Sequence, residues 1–379
     1  MREEVRDVSE PVAVGAGEVR PIVDRVHLVD PDTVESIGRR FDRVQDTGRL
    51  TVGERDDQLG SRPDVVQDVG GFVGRLHTSD ATGARDPVVR SLLVTDTERV
   101  PAASVPVRPA ATVMLVRDGA EGIEVFMLRR TLSAAFARGQ YVFPGGKVDD
   151  ADHGEALEPV CDGHDDASAS ARLGVASGGL AWLVAAIREC FEEAGVLLAR
   201  HRDREEIIAF DDMAVAERFN RARHAIHAGE RSLSDLCSDE GVLLLADRMH
   251  LVDHWVTPVG ERRRFDTRFF LAAAPGSQEP LHDDKETIAS LWVRPADALA
   301  MWRAGDLQMF PPTVASIEFL LPHSTVDAAM AAAEAVGVPP VVLPRIVLDD
   351  AGRVVGIRRP GDPDFDTTPL PEFVVEFPR

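Results

Sequence analysis

The chain has 379 residues, 44% of them apolar and 28% charged, enough core material for two or three folded units. Its 42 Lys and Arg face 64 Asp and Glu, and a net charge of −22 argues against nucleic acid or an anionic membrane as partner. A phosphate-bearing ligand would then need metal ions or a local arginine cluster. Cys161, Cys190 and Cys237 stand too far apart for a disulfide framework or a zinc pattern. Met1-Arg2-Glu3-Glu4 lacks the apolar core of a signal peptide, and no apolar run reaches membrane length. A reducing, cytoplasmic location is therefore expected.

In chain order, the first hundred residues hold four alanines and no Trp, Tyr or Cys, and sustain neither a period of 2 nor one of 3.6. Residues 1–104 are expected to be a disordered arm or a non-native extension. After the Pro-rich joint Pro101 to Pro109, the apolar runs Ala111 to Val116 and Ile123 to Leu128 predict a strand pair around Arg117-Asp118-Gly119. Residues 131–147 read as a loop rich in Gly and aromatics. Residues 149–179, rich in Asp, Ser, Gly and Ala, are expected to form an exposed loop insertion whose Asp149, Asp150, His153, His164, Asp165 and Asp166 are solvated. Leu180 to Ala194 predicts a helix closed by Gly195 at its C′ position. Residues 203–240 read as helical. Strands are expected at Leu251 to Val256, Phe265 to Ala273 and Ile288 to Val293, then a helix from Pro295 and a last apolar segment, Val341 to Leu348. Strands and helices interleave, so the class is α/β or α+β.

The informative helix carries Arg188-Glu189-Cys190-Phe191-Glu192-Glu193-Ala194-Gly195-Val196. At 100° per residue Glu189, Glu192 and Glu193 fall within an arc of about 100°, while Ile187, Cys190, Phe191 and Ala194 make the opposite, buried face. Ala185 and Ala186 leave space over the acidic side, and Arg188 stands four residues before Glu192, within reach of it. Three clustered carboxylates repel one another unless a cation joins them, and hard divalent cations such as Mg²⁺ or Mn²⁺ want oxygen ligands. An exposed helix face with one salt bridge is the competing reading. Phe143-Pro144-Gly145-Gly146-Lys147 lies upstream, where paired glycines permit close backbone approach to a ligand. Arg262, Arg263 and Arg264 are the one arginine triplet, read either as forks for phosphate oxygens or as a solvated hairpin turn.

These residues resemble the box of the Nudix hydrolases, G-x5-E-x7-R-E-U-x-E-E-x-G-U with U a bulky apolar residue. Arg188, Glu189, Cys190, Glu192, Glu193, Gly195 and Val196 fill its second half and Gly146 matches its first residue. The halves are split by about 28 extra residues; Asp152 falls where the first glutamate belongs, with Glu155 and Glu158 as competitors. The resemblance implies a Nudix-type α/β/α sandwich with a mixed sheet over 105–325, an inserted loop in the box, a helical insertion at 203–240, and a C-terminal extension, 326–379, packed on the domain. It also implies a metal-dependent diphosphohydrolase using Mg²⁺ or Mn²⁺, with Glu189, Glu192, Glu193, the Gly146 carbonyl and the loop residue Glu286 as metal ligands and Arg188 beside them. Arg130, Phe143, Gly145, Arg263 and Arg264 would bind substrate.

The split box, Leu128-Arg129-Arg130, Gly139 ahead of Phe143-Pro144-Gly145-Gly146, Trp255-Val256-Thr257-Pro258, Arg263 to Phe270 and Phe310-Pro311-Pro312-Thr313 are similar to the acyl-coenzyme A diphosphatase branch. That branch implies cleavage of coenzyme A or acyl-coenzyme A to 3′,5′-ADP and (acyl-)4′-phosphopantetheine, with a homodimer as the possible assembly. ADP-ribose, NADH or another nucleotide sugar is the alternative substrate, and a non-catalytic nucleotide-sensing module the alternative class.

Overall fold

The Val- and Ala-rich run after the Pro-rich joint forms the longest strand among the described residues, β1 (Val107–Gly119), which pairs antiparallel with β2 (Gly122–Arg130). The computed structural model describes residues 99–131, 139–280 and 287–377; the expected N-terminal arm up to residue 98, and Glu286, lie outside them. The strand pair extends well beyond the two apolar runs, and its turn closes at Gly119↔Gly122. β3 (Tyr141–Val142) adds to β2 and β4 (Gly145–Lys147) to β1, so the glycine-rich loop read at 131–147 ends in backbone ladders.

The main sheet runs β10-β2-β1-β9-β8-β11, with β8 (His250–Val256), β9 (Arg264–Ala273), β10 (Thr287–Val293) and β11 (Val341–Val342). It is mixed: β1 and β9 are parallel, as are β8 and β11, and the other pairs are antiparallel. Ala111, Val113 and Leu115 of β1 join Phe126 and Leu128 of β2 in one core with Leu183, Ile187 and Phe191 of the helix Gly179–Ala194. Met114 and Val116, on the alternate positions of β1, are also fully buried, as expected for a central strand covered on both faces.

Segment 149–179 departs from the expected loop. It holds a 3-10 turn at Asp150–His153, a strand β5 (Cys161–Asp162) and a helix α1 (Asp166–Leu173). β5 pairs with β7 (Val242–Leu245), which also takes β6 (Ala199–His201), in a separate three-stranded sheet. Leu157, Val160, Ala169 and Leu173 anchor the insertion in the core. Two turns of helix are too short to declare a period, which is why the segment reads as irregular. Its order shows instead in punctuation: Asp165 and Ser168 form a reciprocal capping box, and Gly174 closes the helix at φ 66°.

Helix α2 (Gly179–Ala194) is built of Leu, Ala and Glu with no β-branched run, and stops at Gly195, φ 70°. The segment read as helical at 203–240 contains α3 (Met213–His227) and α4 (Leu233–Glu240). Further along are α5 (Pro295–Ala304), α6 (Pro311–Leu320) and α7 (Val326–Ala335). Residues after 326 do more than pack on the domain, because β11 is a strand of its sheet. Pro344, which has no N–H to give a ladder, divides the last apolar segment into β11 and β12 (Arg345–Leu348), and β12 forms a hairpin with β13 (Val354–Arg358). Residues 99–104, counted above with the arm, are tied down: the Val100 carbonyl accepts from Val374 and the Ala102 N–H donates to Glu372. Among the described residues no helix is long and apolar enough to cross a membrane.

Candidate active site

Two halves of the sequence meet where β4 runs beneath the last turns of α2. β1 places Ala111 opposite Gly146 and Thr112 opposite Gly145. The Gly145 N–H donates to Glu193 Oε2 at 2.9 Å across a gap of 48 residues in sequence. Gly146 lies directly under Glu189: a Cβ there would stand 2.3 Å from Oε1 and displace the carboxylate, and one on Gly145 would meet the Ala111 carbonyl oxygen at 2.5 Å. Arg130, at the end of β2, brings Nη1 to 3.6 Å from Glu193 Oε1.

Arg188 organises the rest. Its Nε and Nη2 donate to Oδ1 and Oδ2 of Asp152, both at 2.9 Å, in a two-pronged bond. Nη1 donates to Glu189 Oε1 at 2.9 Å and Glu192 Oε1 at 3.0 Å, and Nη2 also reaches the Lys147 carbonyl. Asp152 is buried whereas Glu155 and Glu158 are exposed, so among the three acids weighed for that position Asp152 is the one that meets Arg188. The box is thus joined in space through its first seven residues, Gly146 to Asp152, and the extra chain leaves after Asp152.

The acidic side of α2 is not an exposed face. Glu192 and Glu193 are buried, Ala185 and Ala186 are fully covered, and the helix is enclosed nearly all round. The wheel divides the helix by polarity, but β4, the Asp150–His153 turn and α3 close over the polar side. Burial, with the Glu192 charge beside it, pushes the Glu189 carboxyl up to about 7 although Arg188 pulls it down. The neighbouring acids hold Arg188 firmly in its charged form.

Both ends of α2 are finished by other elements. Asp166 of α1 accepts from Gly178 and Leu180 through its two carboxylate oxygens at 2.9 and 3.1 Å, and Ser170 Oγ accepts from Gly179. At the other end Arg223 of α3 donates Nε to the Glu192 carbonyl at 2.9 Å and Nη2 to the Glu193 carbonyl at 3.1 Å. His227 places Nδ1 3.3 Å from Glu192 Oε2. Asp166, expected among the solvated acids of the insertion, instead caps α2, and sequence reading missed Arg223 and His227. Arg223 and His227 are four apart on a helix with three further basic residues, so nothing local distinguishes them.

Other expected residues fall elsewhere. Phe143 is buried to 2% exposure and offers no face to a ligand. Arg264 pairs with Val107, four residues down β1 from Ala111, or roughly 13 Å at the rise of a strand. Its Nε donates to the Thr257 carbonyl while Arg262 pairs with Glu376, so the triplet is not brought to the acids. Arg268, on the same strand, stacks on Trp182 of α2 and pairs with Asp266.

The donor set on α2 is all oxygen: the carboxylates of Glu189, Glu192 and Glu193. Such donors, with one carboxyl raised by burial and by the Glu192 charge beside it, fit a hard divalent cation. Among the described residues no three His, Cys, Asp or Glu side chains converge to hold an ion, since the Arg188 guanidinium stands between Glu189 and Glu192.

A family model described as the NUDT19 Nudix domain matches residues 164–320, from the insertion through α2 and α3 to the end of α6. A solved NUDIX hydrolase from Alicyclobacillus acidocaldarius superposes with a TM-score of 0.50 at 28% identity, covering 60% of this chain and 97% of the other. Residues 164–320 match the Nudix hydrolase family. Proteins called acyl-coenzyme A diphosphatase NUDT19 are 28% identical in Gallus gallus, over 54% of this chain and 65% of the relative, and 27% identical in Homo sapiens, over 51% and 59%. The Xenopus laevis counterpart is 23% identical over 50% and 57%. The chain thus spans less than two thirds of the length of each. The Nudix box explains the α/β fold and the carboxylates of α2; the helices α3 and α4 lie within the matched region.

Proposed function

We propose that the chain is a metal-dependent Nudix diphosphohydrolase acting on coenzyme A or acyl-coenzyme A, with 3′,5′-ADP and (acyl-)4′-phosphopantetheine as products. The observation that carries the reading is the junction of Gly145, Gly146 and Asp152 with Arg188, Glu189, Glu192 and Glu193, which assembles every part of a split box around one buried acidic cluster. The names of the relatives support the coenzyme A substrate.

Glu189, Glu192, Glu193 and the Gly146 carbonyl would hold Mg²⁺ or Mn²⁺, with Glu286, one residue before β10 in sequence, as a further ligand. The bound ion would neutralise the diphosphate and lower the pKa of a coordinated water. Arg188 locks the rotamers of Glu189 and Glu192 from within their own helix, and Asp152 holds Arg188 in turn. Gly145 fixes Glu193 by its N–H, and Arg130 offers a guanidinium at that edge for a substrate phosphate. Arg188 engages Glu189 through Oε1, which leaves Oε2 to take the proton of the attacking water.

The decisive experiment offers purified full chain coenzyme A, acetyl-coenzyme A, ADP-ribose and NADH, each with Mg²⁺, with Mn²⁺ and with chelator. Phosphopantetheine and 3′,5′-ADP should form from the first two and stop when the ion is removed. Turnover confined to ADP-ribose or NADH would overturn the substrate assignment, and turnover indifferent to chelator would overturn the mechanism.

A further inference from the structure

The inserted helix α3 does more than cover the site, because it delivers two side chains to the same turn of α2. Arg223 binds the backbone there, through the carbonyls of Glu192 and Glu193, and both bonds are buried. His227 follows one helical turn later and therefore projects from the same face of α3. With Arg223 fixed, its ring comes to lie against the Glu192 side chain, Nδ1 3.3 Å from Oε2. Glu192 is then gripped on both oxygens, by Arg188 on Oε1 from its own helix and by His227 on Oε2 from the insertion.

We propose that His227 is a positioning residue for Glu192 and that helix α3 thereby sets the affinity of the site for its divalent cation. The inference rests on the metal-dependent reading above. Each carboxylate oxygen has two lone pairs, so one partner per oxygen, the Arg188 N–H on Oε1 and the His227 ring nitrogen on Oε2, leaves a lone pair on each for an ion. A carboxylate held on both sides presents those lone pairs in one direction, and without His227 it can rotate about its last torsion. Outer partners of this kind typically set metal affinity by 10- to 100-fold. His227 is the last residue of α3 and its side chain is 22% exposed, so replacing it opens no core.

The test measures Mn²⁺ binding without substrate, by the electron paramagnetic resonance of the free ion, in full-length wild type, His227→Ala and His227→Asn. Asparagine returns an N–H near the place of Nδ1. His227→Ala is expected to bind Mn²⁺ at least ten-fold more weakly, and His227→Asn within about three-fold of wild type. At saturating Mn²⁺ the KM for coenzyme A should stay unchanged, as should the melting temperature. Equal Mn²⁺ binding by wild type and His227→Ala, or an Asn variant as weak as Ala, overturns the role of His227 and leaves the hydrolase reading intact. A wild type that binds no Mn²⁺ overturns both.

Discussion

Two insertions reach the same helix at opposite ends. Segment 149–179 supplies Asp166 and Ser170 to the amino end of α2, where unpaired N–H groups need acceptors, and α3 supplies Arg223 to the carboxyl end, where unpaired carbonyls need donors. The signs follow the helix dipole, a carboxylate at the positive end and a guanidinium at the negative one. The two regions differ in what lies beside the cap. Nothing reactive adjoins Asp166, whereas Arg223 holds the turn that carries Glu192 and Glu193. Bracing the first end is a matter of stability; bracing the second also aims the carboxylates.

That division can be broken from either side. The largest effect is expected at the carboxyl end: Glu192→Gln should lower kcat at least 100-fold, about 2.7 kcal/mol of barrier, with an unchanged melting curve. Retention of more than a tenth of kcat would deny Glu192 a place in the chemistry. Asp152→Ala strands the buried Arg188 charge and should cost about 3 kcal/mol in chemical denaturation, with activity lost in parallel as Glu189 and Glu192 lose their clamp. Were it to unfold no more easily than wild type, Arg188 would not depend on Asp152.

Glu189 sharpens the comparison through pH. Its carboxyl is held near 7 in the folded state against an ordinary 4.5, so it favours folding below about 4.5 and loses that contribution as pH rises through 7. With chelator present, stability should fall by about 2–3 kcal/mol from this group between pH 4.5 and 8, and Glu189→Gln should remove that slope. A slope unchanged in the Gln variant would place the shift elsewhere. The smallest effect belongs to the amino end: Asp166→Ala should cost about 1 kcal/mol of stability and leave kcat per folded molecule as it was. A loss of kcat without loss of stability would abolish the distinction between the two ends.

Much of the site was legible because its signals are local. Glu189, Glu192 and Glu193 share a helix face by spacing alone, Gly195 ends that helix by its backbone freedom, and paired glycines announce a close approach. Reading Asp152 against Glu155 and Glu158 needed the fold, because counting through an insertion cannot say which acid turns inward. Residues 149–179 were misread as loop because α1 is too short to show a period, while the longer α3 in the second insertion was read correctly as helix. Phe143 and the arginine triplet mark the opposite limit: a suggestive residue type near a motif, one buried in the core and the other set at the start of β9 away from the acids.

What the chain's own order of residues determined is the chemistry available: three carboxylates and an arginine in helical register, strands of Val, Ala and Ile to carry them, and an acidic balance without a basic surface. What only the tertiary structure decided is which groups surround those carboxylates. The partners Gly145, Asp152, Arg223 and His227 all lie 30 to 48 residues away from the acids or the arginine they touch. Spacing speaks for neighbours along one helix, because the backbone fixes their angle; it is silent across an insertion, where packing alone sets the distance.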